Sequence, residues 1–131
     1  MSDTTPRILI AEDNPGLARV LSFKFKSSGF DPITCANGKV AWEAFQTESV
    51  AAVISDQEMP YMTGLELCEK IRQVDQGIPF FLVTGRQLEL VASGAANGLN
   101  ITNIFAKPFS PGTVQTAVSA AIIASTGGAS V

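Results

Sequence analysis

Histidine is missing from all 131 residues, and cysteine occurs only twice, as Cys35 and Cys68. The first absence removes the imidazole that commonly serves as a base near neutral pH, and with it any Cys/His metal site. The two cysteines form no CxxC pair, which leaves them as reduced core residues. Positive charge is also in short supply: nine Lys plus Arg stand against twelve Asp plus Glu, a net charge of −3. No stretch concentrates basic side chains, so neither direct nucleic-acid binding nor an anionic-membrane surface is expected. No apolar run approaches the roughly 20 residues that span a bilayer. The opening residues, MSDTTPRILIA, lack the basic and then apolar order of a secretory leader. The expected setting is the cytoplasm.

What the chain does have is enough apolar residue, 46%, to bury a core of its own. One domain over 1–131 is expected, with its core at about 6–124 and a Gly/Ser-rich end, 125–131, as a flexible tail or the start of a linker. Five short apolar runs read as strands: Arg7–Ala11, Asp31–Cys35, Ala51–Ser55, Pro79–Val83 and Asn103–Ala106. Segments of helical period lie between them. Asn14 and Pro15 open the first, Gly29 closes it, and Leu17, Val20, Leu21 and Phe25 form its apolar stripe. Asn37-Gly38 opens the second, with Val40, Ala41, Ala44 and Phe45; Thr63-Gly64 opens the third, with Leu65, Leu67, Cys68 and Ile71. A fourth helix over roughly Gln87–Ala96 is diluted by Gly94, Asn97 and Gly98, and an Ala-rich fifth runs from about Ser110 to Ala124.

Strict alternation of strand and helix predicts right-handed βαβ units, hence an α/β fold with a parallel sheet covered on both faces. In such sheets chemistry collects at the carboxyl ends of the strands. There the sequence places Glu12 and Asp13 after the first strand, Asp56 after the third, Thr84 after the fourth, and Lys107-Pro108 after the fifth. Three carboxylates on one edge repel one another unless a cation sits among them, and Lys107 is the nearby protein cation on a strand end. Oxygen donors with no soft ligand suit a hard divalent ion, Mg²⁺. A carboxylate beside such an ion, a hydroxyl and an ammonium is what phosphoryl transfer asks for, with Asp56 as nucleophile and Thr84 and Lys107 meeting phosphoryl oxygens.

The segments ILIAEDNP, VISDQEMPYMTGLEL, FFLVTG and FAKPF together resemble the receiver domains of two-component response regulators over nearly the whole chain. The resemblance implies a (βα)5 domain with a five-stranded sheet of order 2-1-3-4-5. It implies that Asp56 takes a phosphoryl group from a sensor histidine kinase or phosphotransfer protein, with the domain catalysing its own phosphorylation and dephosphorylation. Mg²⁺ would be bound by Asp13, Asp56 and the backbone carbonyl of Glu58, with Glu12 acting through water. The Lys107-Pro108 peptide would be cis.

Residues two beyond the acceptor and two beyond the threonine, Glu58 and Arg86, would set the lifetime of the phosphoryl group; their opposite charges are expected to pair as a lid. The output face would comprise the fourth helix, fifth strand and fifth helix, including Ile104 and Phe105. It would act on a downstream protein or on an output domain joined to the chain. Two departures stand out: Ile104 occupies the place of the usual switch aromatic, and Asn100 that of a usual glycine, where it can still take a left-handed backbone. The competing readings are a receiver-like interaction module that works without phosphorylation, and a flavodoxin-like cofactor binder. The acidic loop after the first strand opposes the second of these, because it would repel a phosphate that brings no metal.

Overall fold

The computed structural model describes residues 5–130, with side chains through Ser125. Its elements alternate without exception: β1 (Arg7–Ala11), α1 (Pro15–Ser27), β2 (Asp31–Cys35), α2 (Gly38–Thr47), β3 (Ala52–Asp56), α3 (Gly64–Val74), β4 (Phe80–Thr84), α4 (Gln87–Ser93), β5 (Asn103–Ala106) and α5 (Pro111–Ser130). All strand pairs are parallel and the order is β2-β1-β3-β4-β5, the expected topology. The third and fourth strands each lie one residue later than the apolar runs suggested. Pro79 has no N–H to give to a ladder and only accepts, from Val53, so paired residues begin at Phe80. That shift carries Asp56 and Thr84 onto the last positions of β3 and β4 rather than into loops.

The helix starts follow their local chemistry. Asn14 and Asn37 accept from the backbone of Leu17 and Val40, and Thr63 forms a reciprocal capping box with Glu66, fixing where α3 begins. Gly64, the first residue of α3, lies so close to β3 that a Cβ there would meet the Asp56 carbonyl and a Leu82 methyl at 2.5 Å. The glycine thus lets α3 start directly beneath the end of β3. Gly94 ends α4 at Ser93 by turning left-handed, φ 75°, short of the Ala96 expected from composition. Asn100 is left-handed as expected, φ 54°. The fifth helix continues to Ser130, so residues 125–130 are helical in backbone rather than an open tail; once a helix is nucleated, each added residue gains a hydrogen bond. Val131 lies outside the described residues.

Two apolar layers enclose the sheet. Ala41 of α2 and Leu67, Cys68 and Ile71 of α3 pack with Leu9, Val53, Phe80 and Leu82 on one face. Leu21 and Phe25 of α1 and Val114 and Val118 of α5 pack with Ile8, Ile10, Ile54 and Phe81 on the other. Each Val, Leu, Ile or Phe among them contributes about 1.5–3 kcal/mol through burial. Val20 and Val40, placed by periodicity on buried stripes, are instead about half exposed, at 49% and 42%, because α1 and α2 each cover the sheet with a narrower face. Cys35 and Cys68 are free and buried, and desolvation raises both thiols, Cys68 to about 11, so they are held as neutral thiols. Among the described residues no helix is long and apolar enough to cross a membrane.

Candidate active site

β1, β3 and β4 lie side by side in the middle of the sheet, so their carboxyl ends converge, and the β5 end adds Lys107. Asp56 is 2% exposed. One of its oxygens, Oδ2, accepts from Lys107 Nζ at 3.0 Å, while the other, Oδ1, is buried with no hydrogen-bond partner. Glu12 is also buried; its Oε2 accepts from the Asn14 N–H at 3.0 Å, and its Oε1 lies 3.9 Å from Lys107. Asp13 is exposed. One carboxylate oxygen from each of Glu12, Asp13 and Asp56 falls within 4.8 Å of the others. The Lys107-Pro108 peptide is cis.

The electrostatics of this edge are unfavourable without a further cation. Burial, reinforced by the charges of Asp56 and Asp13, pushes Glu12 up to about 7. Burial also raises Asp56, although the hydrogen bond and charge of Lys107 pull the other way. Lys107 itself is held above its ordinary value: burial would lower it, but the hydrogen bond and charge of Asp56, with Glu12 behind, outweigh that. A single ammonium therefore serves two buried carboxylates, and Asp56 Oδ1 is left without a hydrogen-bond partner at an edge where three carboxylates gather. An oxygen-seeking divalent cation fits this donor set, with exposed Asp13 leaving room for water.

Thr84 is buried at the end of β4, beside β3. Its hydroxyl donates to Glu58 Oε2 at 2.7 Å and accepts from the Arg86 N–H at 3.0 Å. This corrects the expected lid: Glu58 does not pair with Arg86, whose guanidinium lies 3.9 Å from Glu89 on the first turn of α4. Both side chains do line one cleft with Gln57, but the threonine hydroxyl is the nearer partner for Glu58. Ile104 packs toward the α3 face, and its carbonyl accepts from Gln87 Nε2 at 2.6 Å. Phe105 packs toward the opposite face and stacks on Phe81, with centroids 6.2 Å apart, so its ring is already partly buried.

Three contributors were not apparent from sequence. Gln57 accepts from the Leu65 N–H and ties α3 to the end of β3, Gln87 ties α4 to β5, and Arg72 holds the segment before β5. Arg72, nearly buried, donates to the carbonyls of Leu99, Asn100 and Asp75. An arginine inside an apolar helical stripe is the only sequence signal for that clamp.

A parallel α/β domain that gathers carboxylates, a threonine and a lysine at the carboxyl ends of its strands is of the receiver class, with a flavodoxin-like fold. The chain belongs to the response regulator receiver domain family, whose model matches residues 8–119. It is similar to the alkaline phosphatase synthesis transcriptional regulatory protein PhoP of Bacillus subtilis, at 28% identity over 87% of this chain and 47% of that one. The chain thus spans about half the length of that relative. Among solved structures, a sensor protein from Polaromonas aligns with TM-score 0.82 at 25% identity, covering 89% of this chain and 95% of that one. The Thermotoga maritima response regulator TrrA, in complex with Mg²⁺ and beryllium fluoride, aligns with TM-score 0.77 at 25% identity, covering 89% and 99%.

Proposed function

We propose that Asp56 accepts a phosphoryl group from the phosphohistidine of a sensor kinase or phosphotransfer protein, in a Mg²⁺-dependent reaction that the domain itself promotes. The observation that carries this reading is a buried carboxylate with one oxygen held by Lys107 and the other left without a protein partner beside Glu12 and Asp13. In the transfer, an Asp56 oxygen forms a bond to phosphorus as the phosphorus–nitrogen bond of the donor breaks, giving an acyl phosphate. Asp13, Asp56 and the Glu58 carbonyl would hold the cation, Glu12 acting through water; when bound, it would offset the charge of carboxylates and phosphoryl group together. Lys107 orients Asp56 beforehand and supplies a fixed positive charge for a phosphoryl oxygen. The Thr84 hydroxyl, at the neighbouring strand end, is the donor for another.

The signal would leave through the face of α4, β5 and α5, where Ile104 and Phe105 sit, toward a protein target or a joined output domain. Because the Phe105 ring is already packed on Phe81, output would rely on the β4–α4 loop and α4 rather than on a ring turning inward. Incubation with acetyl phosphate and Mg²⁺ followed by intact-mass measurement tests the assignment. The chain should gain one phosphoryl group, only when the divalent cation is present, and Asp56→Asn should gain none. Equal labelling of that variant would overturn it.

A further inference from the structure

A hydroxyl has one proton to give. In this structure the Thr84 proton goes to Glu58 Oε2 at 2.7 Å, while the Thr84 oxygen accepts from the Arg86 N–H. The function proposed above, on which this inference rests, requires that proton on a phosphoryl oxygen instead. Both bonds cannot exist together. We infer that the Glu58 carboxylate is a positioning group that holds the Thr84 hydroxyl in a resting orientation, so that Glu58 and a phosphoryl oxygen compete for the same donor.

Several features support competition over a simple packing role. Glu58 stands two residues past Asp56 on the loop leaving β3, and Thr84 is the last residue of β4, so the bond spans the two strands whose ends make the site. The acceptor is a carboxylate, and charge-assisted bonds are the stronger kind, so release of Thr84 has a real cost to be met by the incoming anion. The carboxylate also adds negative charge near Asp56 and Lys107. Through the Arg86 N–H the same hydroxyl touches the first residues before α4, and the adjacent Gln87 reaches the Ile104 carbonyl of β5. Transfer of the Thr84 proton from Glu58 to a phosphoryl oxygen would therefore disturb the β4–α4 loop directly, without the aromatic switch residue that this chain lacks.

The test uses beryllium fluoride with saturating Mg²⁺ as the phosphoryl mimic, its binding followed by the fluorine spectrum of the bound anion. Glu58→Ala should lower the concentration for half-saturation about tenfold, the loss of one charge-assisted competitor. Glu58→Gln keeps an acceptor without the charge and should fall between Glu58→Ala and the unaltered chain. In a Thr84→Ala background the gain from Glu58→Ala should shrink to the part due to charge alone. An equal gain in both backgrounds, or weaker anion binding by Glu58→Ala, overturns the inference. Proton spectra without anion test the bond independently of phosphoryl chemistry: a slowly exchanging Thr84 hydroxyl proton is expected in the unaltered chain and not in Glu58→Ala. Its absence from the unaltered chain overturns the resting bond even if Asp56 is phosphorylated. A protected hydroxyl proton together with failure of beryllium fluoride to bind would instead count against the acceptor function, and with it the competition.

Discussion

The centre of the sheet and its β5 side are built to different standards. Every residue of β3 and β4 is buried, whereas β5 has none fully buried and α4, the shortest helix, has none either. The proposed acceptor, Asp56, and the hydroxyl of Thr84 belong to the rigid centre, while the helix proposed to carry the response hangs on Gln87 and a few half-buried side chains such as Leu90. Under the proposed function the contrast is a division of labour, with chemistry on elements that cannot yield and response on elements with little holding them.

The sharpest way to break this contrast is to truncate the centre. Leu82→Ala removes a fully buried side chain from β4 and should cost about 2–5 kcal/mol in denaturant unfolding. A loss below 1 kcal/mol would mean the centre is less tightly packed than it looks. Next comes the clamp between the regions. Arg72→Ala leaves the carbonyls of Leu99 and Asn100 without their donor and should cost about 2 kcal/mol, with faster amide hydrogen exchange in the segment before β5. Uniform exchange changes across the sheet would show that Arg72 supports the whole fold instead.

Mg²⁺ should stabilise the chain by about 1.4 kcal/mol at ten times its dissociation constant, raising the melting midpoint by about 3–6 °C, and Asp13→Ala should remove most of that gain. The same edge gives a pH dependence. Glu12 is raised from 4.5 to about 7 in the folded chain, so without metal the folded state holds the proton more tightly than the unfolded. Its contribution therefore favours folding below about 4.5 and is lost as pH rises through about 7. A cation needs the proton gone, so Mg²⁺ affinity should rise about tenfold from pH 6 to 8, measured by thermal shift. A flat profile would put Glu12 outside the cation's reach. Smallest of all, Leu88→Ala on α4, 83% exposed, should change stability by less than about 0.5 kcal/mol while remaining able to alter partner binding.

Much of this was legible in the chain itself. The alternation of apolar runs and helical segments carried the parallel βαβ units, three of whose helices had their own start signal in Asn14, Asn37 and Thr63, while the strand order came from the family resemblance. Asp56 and Lys107, 51 positions apart, were expected at one edge because parallel strands align their carboxyl ends, and they meet at 3.0 Å. Charge alone misled in the case of Glu58 and Arg86. Opposite signs on neighbouring loops suggested a pair, but a local glutamate on α4 and a threonine hydroxyl were closer partners. The end of α4 was missed for a related reason: composition shows that a helix weakens over several residues, whereas the left-handed turn at Gly94 selects one.

Pro32 lies on β2, the outer strand on the side away from β5. The preceding Asp31 N–H points inward to the Pro6 carbonyl, and directions alternate along a strand, so the Pro32 nitrogen faces outward. That position offers no donor to an approaching chain. Any extended segment that tried to add itself alongside β2 would find its ladder interrupted at the second rung. The chain thus carries a built-in obstacle to edge-to-edge polymerisation on this border.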